Sequence, residues 1–236
     1  TDVGTRTIKV DMAEGSAAKA SGTNAGHYTM GLTEEDFSVT SANYSNIKVV
    51  VVDGYLDITP ITDEVTVTIS GNKLVTPYSG DEQTIEGYTT DVTDPTIKVE
   101  LADGEEAKAS GTRSGTYDMG LTEDSFVVTS DNYSNLKLVV DDGGLTISRE
   151  KELVITITGN HDTKYNRSEQ TVEGFTYAVA AGQKDESLKV ALKKGSEAKA
   201  AGTNAGHYPM GLTEDMFDIT SDNYDSVKVN IVDGYL

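Results

Sequence analysis

The feature that most constrains this chain is a repeat. The stretch GTNAGHYTMGLTEEDFSVTSANYSNIKVVVVDGYLDITP from Gly22 to Pro60 returns as GTRSGTYDMGLTEDSFVVTSDNYSNLKLVVDDGGLTIS from Gly111. It returns again as GTNAGHYPMGLTEDMFDITSDNYDSVKVNIVDGYL from Gly202. The copies start 89 and then 91 residues apart. A period of that length is a whole small domain, not a solenoid unit of about 20 to 50 residues. The chain is therefore read as a tandem array. Residues 1–60 carry the C-terminal part of a first repeat, 61–64 a linker and 65–148 a second repeat. A second linker spans 149–152, and 153–236 form a third repeat short of its last strand. Thr1 aligns with Thr90 and Leu236 with Leu56, so both ends read as cuts through a repeat.

Within each copy the apolar residues alternate with polar ones, the period of a half-buried strand. Ile8, Val10 and Met12 do so, as do Tyr28, Met30 and Leu32, then Val65, Val67 and Ile69, and Leu153, Ile155 and Ile157. No segment holds a helical period. Thr33-Glu34-Glu35-Asp36 reads as an N-cap with an acidic first turn. Phe37 and Val39 follow at strand spacing, which limits it to one helical turn. Asp53-Gly54, Asp142-Gly143 and Asp233-Gly234 each sit between alternating runs and predict two-residue hairpins. Gly71-Asn72 and Gly159-Asn160 predict turns closing the opening strands. Tyr78–Tyr88 and Tyr165–Phe175 predict a further hairpin. Eight or nine short strands per repeat, each with one polar face, predict an all-β fold of tandem small antiparallel β-sandwich-like repeats. Immunoglobulin-like and β-grasp-like topologies both remain open.

Composition narrows the setting. With 36% apolar residues, 23 glycines and no tryptophan, each repeat has a modest core and many turns. The net charge of −20 repels phosphate backbones and anionic lipid, which argues against nucleic-acid partners and membrane insertion. No apolar run approaches the length of a membrane span. Calcium capture by an Asp-rich loop would need a D-x-D-x-D-G pattern, and the sequence has none. With no cysteine, disulfide, zinc–thiolate and thiol-nucleophile chemistry are excluded in these residues.

Comparison among copies tests candidate chemistry. His27 and His207 are equivalent, but Thr116 takes that place in the middle copy, and His161 stands alone, so no histidine site is expected. Glu34, Glu123 and Glu214 recur beside acidic neighbours. They read as capped turns rather than as the carboxylate pair of a glycosidase. Tyr28, Tyr117 and Tyr208, with Met30, Met119 and Met210, read as core packing. The residue types for an intramolecular Lys–Asn isopeptide bond also recur. These are Lys19, Asn43 and Glu34; Lys108, Asn132 and Glu123; and Lys199, Asn223 and Glu214. Against that bond, each lysine lies in an Ala-Lys-Ala stretch that reads as a solvated charge, and each asparagine reads as an Asx turn. No catalytic residue, cofactor or metal is expected.

The EQTIEGY and EQTVEGF segments, the G-T-x-x-G-x-Y loop, the N-Y-S-N turn and the V-x-D-G-x-L-x-I-T-P run together resemble a known family. It is that of the tandem repeats of large bacterial cell-surface proteins, the MBG-type and immunoglobulin-like modules of adhesins. The resemblance implies an extracellular, non-enzymatic stalk on the bacterial surface that projects a binding region from the cell. Its partners would be the neighbouring repeats and, through that region, a host surface protein or glycan. Short linkers predict an extended, semi-rigid array. Two alternatives stay open. One is a multivalent module in which each repeat binds a glycan or host protein weakly and the array supplies avidity. The exposed-looking Tyr55 and Tyr235 would serve it, although Gly144 replaces them in the middle copy. The other is a self-assembling surface fibre built through edge strands, which the charge opposes.

Overall fold

The alternating segments fold almost entirely as strands in a computed structural model, which describes residues 8–161 and 164–236. The start of the first repeat, residues 1–7, lies outside the described residues. The first copy contributes β1 (Ile8–Met12), β2 (Gly26–Thr29), β3 (Phe37–Ser41) and β4 (Tyr55–Ile58). The second contributes β5 (Val65–Gly71), β6 (Lys73–Pro77), β7 (Gln83–Glu86), β8 (Tyr88–Thr90), β9 (Lys98–Leu101), β10 (Lys108–Gly111), β11 (Gly115–Asp118), β12 (Phe126–Thr129), β13 (Leu136–Asp141) and β14 (Gly144–Ser148). The third contributes β15 (Glu150–Gly159), β16 (Gln170–Glu173), β17 (Phe175–Val179), β18 (Lys189–Leu192), β19 (Lys199–Gly202), β20 (Phe217–Thr220) and β21 (Tyr224–Val232). Among the described residues the helical content is three single 3₁₀ turns, at Glu34–Asp36, Glu123–Ser125 and Glu214–Met216. Asp36 closes the first by accepting bonds from the Thr33 backbone N–H and hydroxyl, at 2.8 and 3.0 Å. The acidic segment thus forms the one turn its sequence predicts.

Equivalent residues pair in equivalent registers. Met12 faces Phe37 in β1·β3, Leu101 faces Phe126 in β9·β12, and Leu192 faces Phe217 in β18·β20, all antiparallel. Glu86 faces Lys108 in β7·β10 and Glu173 faces Lys199 in β16·β19. Tyr28 faces Leu56 in β2·β4 and Tyr117 faces Leu145 in β11·β14. Three-stranded sheets run in the orders β13-β5-β8, β11-β14-β6 and β17-β15-β21. Among the described residues, β14 with β6 and β15 with β21 pair in parallel. Alternation predicts which face of a strand is buried and is silent on the direction of its neighbour, so these pairs are invisible to it.

The Asp-Gly segments are not hairpins. β13 and β14 flank Asp142-Gly143 but belong to different sheets, and Gly143 and Gly234 lack the positive φ that a two-residue hairpin demands. Each aspartate instead clamps a neighbouring loop. Asp142 accepts the N–H groups of Gly120 and Leu121 at 3.0 and 2.9 Å, and Asp233 accepts those of Gly211 and Leu212, both at 2.9 Å. The glycine is needed for close approach. A Cβ on Gly143 would lie 2.6 Å from both the Asn72 carbonyl oxygen and Met119 Sδ, and Gly234 lies against Gly159 in the same way. Gly71-Asn72 is likewise a crossing from one sheet to another, since β5 and β6 pair with different partners. The Tyr78–Tyr88 segment does turn at Gly80, with φ of 78°, but β6 and β7 on either side of it pair with β14 and β10 rather than with each other. With these divisions the second copy holds ten strands, where its sequence predicts eight or nine.

Residues 47–52 of the first copy form no strand, although their counterparts are β13 and β21. Those counterparts lie beside the opening strands β5 and β15 of their own copies. No opening strand for the first copy occurs among the described residues. Residues 150–152, which the sequence assigns to a linker, are the first residues of β15, and Glu150 and Glu152 are in register with Tyr224 and Ser226.

The chain divides into two compact units that do not follow the sequence repeats. One comprises Thr1–Ile69, Thr90–Asp103 and Glu123–Val139; Val67, Ile69, Ile97 and Phe126 are buried in it. The other comprises Ser70–Thr89, Gly104–Thr122 and Val140–Leu236. Its core gathers Leu145 and Ile147 from β14, Leu153, Ile155 and Ile157 from β15, and Phe217, with Ala109, Ala198 and Ala200 filling narrow positions.

Candidate functional site

Each copy carries a loop, G-T-x-x-G-x-Y, that its own tyrosine holds in shape. The rings of Tyr28, Tyr117 and Tyr208 lie over Gly22, Gly111 and Gly202, where any Cβ would overlap the ring. Their hydroxyls donate to the carbonyl oxygens of Asn24, Arg113 and Asn204, at 2.8, 3.0 and 3.2 Å. These tyrosines are half-buried, as their alternation predicts. They also fix a carbonyl and thereby present the next N–H in the loop outward, a role that alternation does not reveal.

That N–H is where one copy meets the next. Within the first unit, Ala25 donates its N–H to Asn132 Oδ1 at 2.7 Å, and Asn132 Nδ2 donates to Asn24 Oδ1 at 3.0 Å. Within the second unit, Ser114 donates its N–H to Asn223 Oδ1 at 2.8 Å, and the Ser114 hydroxyl donates to the Asp222 carbonyl at 2.6 Å. Backbone bonds run alongside. Ile61 N–H donates to the Asn132 carbonyl at 2.8 Å, and Glu150 N–H to that of Asn223 at 2.9 Å. The same asparagine thus forms the same joint twice. The Asn-Tyr loop itself is set locally, because Ser130 and Ser221 hydroxyls accept the asparagine N–H at 3.2 and 3.3 Å. The sequence signal for the joint is the recurrence of Asn43, Asn132 and Asn223 beside a position that varies between Ala42, Asp131 and Asp222.

Behind each joint lies an aspartate. Asp94 accepts from Thr96 N–H at 2.9 Å and from the hydroxyls of Thr96 and Tyr133, both at 2.7 Å. These bonds, the Thr96 N–H first, hold its carboxyl below the usual carboxylate range, and the bond to Asp94 raises Tyr133. In the second unit Asp185 Oδ1 accepts from Ser187 N–H and hydroxyl and from Asn223 Nδ2, at 2.9, 2.7 and 2.9 Å. Burial pushes Asp185 upward, but the bonds from Ser187, Ser221 and Asn223 together outweigh it and leave the group lowered. Tyr224 turns its hydroxyl to the Lys184 carbonyl, at 3.2 Å, and stacks edge-on against Tyr78 with ring centroids 5.7 Å apart. Burial, then the Asp185 charge, raises both tyrosines. Tyr78 Oη and Asp185 Oδ2 are buried with no hydrogen-bond partner among the described residues. Such groups cost about 1–3 kcal/mol each, so this joint relies on Asn223 and on the packed rings. Lys184 adds an exposed ion pair with Asp81 at 2.6 Å, which contributes little.

The candidate isopeptide residues have separate partners. Lys199 pairs with Glu173 at 2.8 Å, and Asn223 is committed to Ser114, Asp185 and Ser187. Glu214 opens an exposed 3₁₀ turn. Lys108 pairs with Glu86 at 2.9 Å, Asn132 with Asn24 and Ala25, and the exposed Glu123 opens a turn of its own. Lys19, Asn43 and Glu34 are all exposed. His27 pairs with Asp57, and His161 and His207 flank Tyr235 with centroids 5.4 and 4.6 Å away. Among the described residues no three His, Asp or Glu side chains gather as a metal site, and no helix is long and apolar enough to cross a membrane. A shallow groove of about 750 Å³ runs along β20 and β21 over Phe217, Ile219 and Val227.

In comparison with known proteins, the chain matches no family model, no curated relative and no solved structure.

Proposed function

We propose that this chain is a structural segment of an extracellular bacterial surface protein, a non-enzymatic stalk of repeats resembling the MBG-type modules of adhesins. It holds a binding region away from the cell. The observation that carries this reading is the joint itself. Asn132 with Ala25 and Asn223 with Ser114 repeat one set of bonds, and residues 61 and 150 enter paired backbone at once, so neither connection is a free linker. Small β-domains joined by bonded, strand-continuous connections make a spacer, because the swing of one on the next is restricted. The acidic surface keeps such spacers soluble and apart.

Small-angle scattering on the full chain tests this. The expected particle is elongated and fits a single conformer, with the same dimensions in calcium and in chelator. In the double variant Asn132→Ala with Asn223→Ala, the data should require a broad ensemble. A compact wild-type particle, or one equally flexible with both asparagines intact, would rule out the stalk.

A further inference from the structure

Two buried polar atoms lie at the seam between the second and third copies, inside the second unit, and neither has a hydrogen-bond partner among the described residues. One is Tyr78 Oη, on a side chain only 4% exposed; the other is Asp185 Oδ2. The packing brings them to one place. The Tyr78 ring lies edge-on against Tyr224, whose hydroxyl donates to the carbonyl of Lys184, the residue before Asp185. The Glu186 N–H, one residue further on, points toward Tyr78 Oη without completing a hydrogen bond to it. The first unit shows what this second carboxylate oxygen takes. Asp94 gives Oδ1 to Thr96, and its Oδ2 accepts the Tyr133 hydroxyl at 2.7 Å. Asp185 likewise commits Oδ1 to Ser187 and Asn223. Tyr224, the counterpart of Tyr133, is turned to Lys184 instead, so Asp185 Oδ2 lacks the donor that Asp94 has.

We propose that this seam is a binding site for a single water molecule, which accepts a hydrogen bond from the Tyr78 hydroxyl and donates one to Asp185 Oδ2. The Glu186 N–H is its third partner, and about three partners is the usual number for a buried water. The charge states of the two groups choose water over an ion. Burial, then the Asp185 charge, raises Tyr78 above the ordinary tyrosine range, so at neutral pH it keeps its proton and needs an acceptor. Asp185 is lowered, so it is ionised and can only accept. Water meets both needs at once. A monovalent cation would satisfy Asp185 and leave the Tyr78 proton unpaired. Tyr78 belongs to the second copy and Asp185 to the third, so the water ties one copy to the next. A bridge of this kind is nearly as favourable in enthalpy as a direct bond, and it removes the cost of leaving both atoms bare. The inference concerns this seam alone and holds whether or not the array is a stalk.

Crystal structures of the full chain at a resolution that shows ordered water, from crystals grown in sodium salt and in rubidium salt, test it. The expected result is one peak about 2.7–3.0 Å from both Tyr78 Oη and Asp185 Oδ2, the same in either salt and without anomalous signal from rubidium. Tyr78→Phe keeps the ring against Tyr224, removes the hydroxyl and should lose the peak. In solution, the Glu186 amide proton of the isotope-labelled chain should show a cross-peak to a long-lived water, and Tyr78→Phe should abolish it. Circular dichroism checks that the variant folds, and the wild-type measurements stand without it. Absence of the peak in wild type overturns the proposal, as does a direct bond from Tyr78 to Asp185. An anomalous rubidium peak would make this a cation site and overturn it too. So would a water that stays as well ordered in Tyr78→Phe, since Tyr78 would then not be holding it.

Discussion

Replacing the joint asparagine with alanine in each copy separates its two possible roles, because the three copies share a local turn but differ in what the amide touches. Asn223 is fully buried; its loss strands the Ser114 N–H and removes one donor from Asp185. A stranded buried group costs about 1–3 kcal/mol, so Asn223→Ala should destabilise the second unit by about 2–4 kcal/mol. For a unit of this size that lowers the melting temperature by about 6–12 °C. Asn132 is half-buried, and water can replace some of what it provides, so Asn132→Ala should cost about 1 kcal/mol. Asn43 is exposed and its amide is unpaired among the described residues, so Asn43→Ala should stay within about 0.5 kcal/mol. The assay is calorimetry at low micromolar concentration. Equal losses at all three positions would refute the reasoning, because they would mean that asparagine serves the Ser–Asn turn common to every copy.

Three further outcomes follow from the geometry. Gly234→Ala places a Cβ 2.5 Å from the Asn160 carbonyl and from Met210 Sδ, and should cost about 2–4 kcal/mol by thermal melting. Gly54→Ala meets only the flexible end of Met30, at 2.8 Å, and should cost less than about 1 kcal/mol. Asp185 and Asp94 have folded pKa values below the ordinary 3.8, so their contribution is complete above the unfolded value and is lost as pH falls through the folded one. A melting curve taken between pH 7 and pH 2 should therefore decline on the acid side of about pH 4. Asp185→Asn should be less stable than wild type at pH 7 and show a shallower acid decline. Intact mass spectrometry should return the full sequence mass, since Lys108, Lys199, Asn132 and Asn223 are committed to other partners; a loss of ammonia would show an isopeptide bond.

Sequence and structure agree where a local rule decides the outcome. Period-two alternation places most of the strands, residues 47–52 excepted, and Thr33 with three acidic residues gives a single capped turn, because both depend on neighbours within a few residues. The disagreements arise where one residue type serves two physical needs. Glycine at 143 and 234 reads as a source of positive φ, but it is there for lack of a Cβ against Gly71 and Gly159, and nothing local distinguishes the two. Asparagine at 132 and 223 satisfies a turn and also caps a loop about 108 residues earlier in the chain. The direction of pairing is equally hidden. β15 and β21 lie at opposite ends of a copy, with its other described strands between them in the chain, so no local pattern links them.

The parallel register of β15 and β21 has a mechanical meaning. β15 begins at Glu150 and β21 ends at Val232, with Glu150 beside Tyr224 and Thr158 beside Val232. A pull on the start of β15 and the end of β21 draws these strands past each other along their length. Bonds spaced evenly down a parallel pair then share the load and must give way together, whereas an antiparallel hairpin pulled from its open ends would unzip rung by rung. Resistance of that kind is set by the rate of unfolding rather than by its equilibrium. A repeat of modest thermodynamic stability can therefore hold under tension.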